Sequence, residues 1–212
     1  MTKRFGFTLA EVLITLGIIG VVAAMTMPTL MNSTNGAQYR TAYKKALSVL
    51  SQAVVLNVAL DDYDLSQTSD TGTDTTKAGL YSLFMNRMNV VKTGTSENWK
   101  ASNNSAAAFG GAATSNYTLF FNDGIVFSFK QGDKACTEGN ATVASAPCKA
   151  VIDVNGAKNP NKQVNCDGNA DPNASVANCQ VTNPTDIYPV IMYDQSILPA
   201  SDAARAVLYG GK

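Results

Sequence analysis

Between Phe5 and Gln38 the chain carries a single ionisable side chain, Glu11, near the start of the apolar run FTLAEVLITLGIIGVVAAMTMPTLM. As a helix, Phe7 to Met31 extends about 37 Å, enough to cross a hydrocarbon core of about 30 Å with some tilt. Lys3 and Arg4 precede the run, so the positive-inside rule holds the amino terminus in the cytoplasm and sends the rest of the chain outward. The same pattern describes an ordinary export signal, with Val22-Ala23-Ala24 as its cleavage site. Glu11 argues against a disposable signal: a carboxylate at bilayer depth costs up to roughly 3 kcal/mol and is functional by default.

The remaining composition narrows the function classes. Sixteen basic residues balance sixteen acidic ones, so no net field draws the chain to nucleic acid or an anionic surface. Histidine is absent, which removes the commonest general base and the commonest transition-metal ligand and leaves no candidate catalytic triad. No catalytic residues are assigned. The length suits one domain with an appendage. Cys136, Cys148, Cys166 and Cys179 share a Gly-, Asn- and Asp-rich stretch. Of the three possible pairings the sequential one, Cys136 with Cys148 and Cys166 with Cys179, closes a short loop in each of two segments. Each bridge is worth on the order of 3 kcal/mol and places this part of the chain in an oxidising compartment. Zinc is the rival reading, disfavoured by the lack of any CxxC.

Lys3-Arg4-Phe5-Gly6 followed by Phe7-Thr8-Leu9-Ala10-Glu11-Val12 resembles the leader junction of type IV pilins and type II secretion pseudopilins. The resemblance covers roughly residues 1–60. It implies cleavage between Gly6 and Phe7 by a prepilin peptidase, N-methylation of Phe7, and a role for Glu11 in assembly through pairing with the amine of a neighbouring subunit. Pro28 falls where many members carry a proline at which the helix melts in the filament. The implied partners are the peptidase, other pilin or pseudopilin subunits, and an inner-membrane assembly platform with its ATPase. The implied location is the inner membrane, then an extracellular or periplasmic filament such as a fimbrium. Glycine before the cut suits a peptidase that must admit extended backbone. The rival from another class is a secreted or membrane-anchored adhesin-like binding module. By the residues alone, Pro28 is equally a helix end or a kink.

Gln38 to Leu60 restores helical periodicity, with Tyr39, Tyr43, Ala46, Leu47, Leu50, Val54 and Leu56 or Val58 along one side. Joined to the first segment this predicts a helix of about 80 Å; a hinge at residues 32–36 is the alternative. Residues 61–79 read as a surface loop and Leu80 to Val91 as a short helix. Tyr117 to Phe121 and Ile125 to Phe129, joined by Asn122-Asp123-Gly124, read as a hairpin. Further strands are expected at Ala150 to Val154 and Ile187 to Met192. The fold class is therefore α+β: a leader (1–6), a membrane or filament-core helix (7–31), its amphipathic outer half (32–60), and a head (61–212) whose antiparallel sheet covers the helix and whose loops are stapled by disulfides. The segment from Ile152 resembles a pseudopilin stretch near which calcium is sometimes bound, and Asp153 and Asn155 are the candidate oxygen ligands. Asp167, Asn169 and Asp171 repeat the spacing of a calcium loop, but Pro172 and Asn178 stand where an EF-hand requires Gly and Glu. Asx turns that satisfy their own backbone are the preferred explanation for both runs.

Overall fold

A computed structural model describes residues 6–68, 79–94, 116–139, 147–156 and 158–210. One helix dominates: α1, Leu9–Asp61, runs 53 residues, about 80 Å at 1.5 Å per residue. It passes through Pro28 and through residues 32–36 without interruption. Proline removes the N–H that would bond Ala24, so the ladder is thinned there although the helix continues.

The two halves of α1 have different surroundings because their sequences differ in period. From Leu9 to Pro28 apolar residues occupy every side, and Val12, Ile14, Leu16, Ile18, Ile19, Val22 and Met25 are all exposed. A helix apolar all round has no intrinsic core-facing stripe, so its burial must come from outside the chain. From Gly36 onward the stripe appears: Tyr43, Ala46, Leu47, Leu50, Ala53, Val54 and Asn57 are buried. The last turn departs from the expected pattern. Asn57 faces inward and bonds Tyr63 O at 2.8 Å, while Leu56 is 49 % exposed, because a buried side chain there must satisfy the carbonyl of the departing loop.

The stripe packs on a six-stranded antiparallel meander in sequential order: β1 Val90–Gly94, β2 Asn116–Phe121, β3 Val126–Lys130, β4 Cys148–Asp153, β5 Ile187–Tyr193 and β6 Ser196–Pro199. Alternation places Phe127 and Phe129 of β3 toward Phe84 at 5.0 and 5.9 Å between ring centroids. It also places Tyr188 of β5 flat against Tyr43 of α1, with centroids 3.9 Å apart. Each such fully buried large side chain contributes about 1.5–3 kcal/mol. The β2–β3 hairpin turns at Asn122-Asp123-Gly124, where Gly124 has φ +84°, a conformation only glycine adopts freely. Lys45 of α1 ties this turn to the helix through Asp123 at 2.7 Å.

Five elements differ from the sequence reading. The helix expected over Leu80 to Val91 stops at Arg87 (α2, Leu80–Arg87), and Val90–Gly94 pairs with β2 as an edge strand; β-branched Val90 and Val91 favour the pleated edge. The loop expected over 61–79 contains a 3-10 turn, Leu65–Gln67, with Leu65 fully buried; residues 69–78 lie outside the described ones. Strand β6 and the final helix α3, Asp202–Tyr209, were not anticipated. Strand β6 is only four residues long, and α3, although Ser201 caps it and Ala203, Ala204 and Val207 line its buried face, is eight; runs this short give weak sequence signals.

Gly36 marks where α1 enters the head. A Cβ at this position would stand 3.1 Å from Pro184 Cδ, so helix and loop approach as closely as a side-chain-free residue permits.

Candidate functional site

The residues of the leader junction stand at the free end of α1. Gly6 and Phe7 precede the helix in a non-helical conformation, with no neighbour within 4 Å of a Cβ built on Gly6 and with Phe7 89 % exposed. An open, unfolded dipeptide before a helix is what a peptidase site can engage.

Thr8 is the N-cap of α1, with φ −77° and ψ 150°, and it organises Glu11. The Thr8 backbone N–H and its hydroxyl each donate to Glu11 Oε2 at 2.8 Å, and the Glu11 N–H donates to Thr8 Oγ1 at 3.3 Å. This is a capping box, satisfying two donors that a helix start would leave orphaned. A carboxylate in the first turn also meets the positive end of the helix dipole. Both bonds fall on Oε2, and Oε1 has no partner among the described residues. The carboxylate is therefore held in place by its own chain while keeping one oxygen for a donor from elsewhere. Thr8 was missed as a functional residue in the sequence reading, although T-x-x-E ahead of an apolar run is its signal.

Pro28 lies twenty residues from the N-cap inside α1 and makes no contact with Glu11. The disulfides lie at the far end of the molecule. Cys136–Cys148 and Cys166–Cys179 are closed, with Cα atoms 5.2 and 5.4 Å apart, which is the sequential pairing.

Asp153 and Asn155 shape a turn after β4. Asp153 Oδ1 accepts from the N–H groups of Asn155 at 3.0 Å and Gly156 at 2.9 Å, and Asn155 Nδ2 donates to Asn159 O at 3.3 Å. Asp167 accepts from Thr182, Asn169 from Asp171 N–H, and Asp171 from Asn173 N–H. Each side chain serves nearby backbone, and among the described residues no three carboxylate, histidine or cysteine groups converge on a common centre. Asn155 Oδ1 is buried without a hydrogen-bond partner among the described residues.

Burial pushes the Asp153 carboxyl up to about 7, with the neighbouring Asp186 adding to the rise against the two N–H bonds. A folded-state pKa above the unfolded one means that stability is fully present below the ordinary carboxylate range and is lost as pH rises to about 7. Asp153→Asn keeps Oδ1 as an acceptor and removes the charge. The variant is expected to match the wild type in thermal stability near pH 4 and to exceed it near pH 8; equal melting temperatures at both pH values would contradict this assignment.

Residues 1–27 match the family model described as the prokaryotic N-terminal methylation motif, the prepilin-type motif of type IV pilins and pseudopilins. The match covers the junction and most of the apolar half of α1, and stops before the head. Leu9–Pro28, with mean hydropathy 2.2, is long and apolar enough to cross a membrane, which fits membrane anchoring. No curated protein and no solved structure matches the chain.

Proposed function

We propose that the chain is the precursor of a type IV pilin or type II secretion pseudopilin, a structural subunit without catalytic activity. The observation that carries this reading is the conjunction, in one matched segment, of an open Gly6–Phe7 junction, a pre-oriented Glu11 and an apolar helix exposed on every side. In this reading a prepilin peptidase removes residues 1–6 and methylates the new amine of Phe7. Glu11, set one helical turn from that amine, offers Oε1 to the amine of an adjacent subunit. A charge that is expensive to bury alone and tolerable when paired reports correct placement of the neighbour. The apolar half of α1 rests in the inner membrane with its amino terminus cytoplasmic, then exchanges lipid for the helices of other subunits. Pro28 gives that helix a weakened turn at which to adapt. The platform and its ATPase would supply the work of extraction.

Co-expression with a prepilin peptidase tests this reading. The mass is expected to fall by Met1–Gly6 and to gain one methyl group. Cleavage after Ala24, or none, would favour the exported or anchored binding module instead.

A further inference from the structure

The two ends of the outer half of α1 carry unmatched charges of opposite sign. At the base of the head, one turn beyond Gly36, Arg40 lines a cavity of about 600 Å³ together with Cys179, Gln180, Val181, Thr182 and Ala206. Its Nε is buried without an acceptor, and among the described residues its guanidinium makes no hydrogen bond or ion pair. A buried donor left unpaired is costly enough that proteins rarely retain one without an external acceptor. Lys44, one turn further along the same side, is exposed and adds positive potential.

At the other end three aspartates crowd the helix C-terminus. Asp61 pairs with Arg87, and Asp64 accepts from Ser66. Asp62, the C-cap, has φ +59°, is exposed, and its carboxylate has no partner among the described residues. The last turn of α1 contains no basic residue, so Asp62 adds to the negative end of the helix dipole with no compensation within the helix. Leu60 beside it is 65 % exposed.

We propose that these ends belong together in different copies: the tip of α1 from one subunit, Leu60 and Asp62, enters the Arg40 cavity of another. The carboxylate takes the guanidinium, and Leu60 lies against Val181 and Ala206. The occupant follows from charge and direction. Copies inserted in one membrane share one orientation, so base meets tip only if parallel helices are displaced axially, by about 33 Å, the length of helix between Arg40 and Asp62. Such a contact is head-to-tail and does not close on itself, which generates an open helical array and not a dimer. This inference rests on the filament reading and adds a contact to it in the head.

Charge exchange in the full-length chain, co-expressed with prepilin peptidase and the assembly machinery, tests it. Asp62→Asn removes the charge while keeping a residue tolerant of the left-handed backbone, and it alters no contact within the head. It is expected to cut filament yield about tenfold with cleavage after Gly6 unchanged. Arg40→Glu and Asp62→Arg are each expected to do at least as much, and the double variant to recover to within about threefold of wild type. Wild-type yield from Asp62→Asn, or a folded double variant no better than its parents, overturns the contact while leaving the filament reading intact. Wild-type chains that are cleaved but form no filament overturn both.

Discussion

Glu11→Ala is expected to be cut after Gly6 like the wild type and to yield about a hundredfold fewer filaments. The Phe7 amine of an incoming subunit would find no carboxylate, and removing one member of a buried pair costs about 3–5 kcal/mol, a hundredfold or more in association. Glu11→Gln separates charge from shape. It retains an oxygen to accept from Thr8, so α1 keeps its cap, yet it cannot neutralise an amine and is expected to fail nearly as badly. Thr8→Val tests the positioning role: it deletes the hydroxyl that holds Oε2 but leaves the carboxylate, so a partial defect is expected. Undiminished filaments from Glu11→Ala, with normal cleavage, would remove the pairing from the account.

The second large effect is in the head. Replacing Cys136 and Cys148 together by alanine is expected to cost about 3 kcal/mol by loop entropy, and the melting temperature should fall by roughly 6–12 °C for a domain of this size. Both cysteines are buried, and Cys136 is a node for three segments. Its N–H donates to Leu65 O at 3.0 Å and its carbonyl accepts from Asp194 N at 2.9 Å, while Leu65 N donates to Asp194 O at 2.9 Å. Losing the bridge therefore loosens the chain leaving α1, the approach to β4 and the β5–β6 turn together. Cys179 of the second bridge is only half-buried, and its removal is expected to cost less. Calorimetry of the two double variants decides the order; equal or reversed losses would show that burial adds nothing to the entropic term.

How much of this was legible beforehand depended on the length of each signal. The apolar run, its single carboxylate and the Asp-Gly hairpin are strong local patterns, and α1, β2 and β3 follow from them. The continuous helix through residues 32–36 was expected from the joined segments, with a hinge as the alternative because four polar residues resemble a break, and the structure gives the unbroken helix. Asn57 was hidden: only the position of the Tyr63 carbonyl makes an inward amide preferable to Leu56. Strands β1 and β6 take their identity from partners distant in sequence, which four- or five-residue runs do not announce. At the site, Gly6, Phe7 and Glu11 were readable as a motif and the Thr8 clamp had its signal in T-x-x-E, whereas the unpaired Arg40 Nε required coordinates. Asp153 was singled out for its oxygen, whereas its burial and its two backbone N–H bonds, to Asn155 and Gly156, required coordinates.

Prepilin processing fixes where the mature chain begins. Intact mass and N-terminal sequencing of the protein recovered from its native membrane should give a first residue of N-methylated Phe7, with residues 1–6 gone. A first residue of Met25, or a chain still starting at Met1, would contradict prepilin processing and with it every assembly role assigned to Glu11, Pro28 and Arg40.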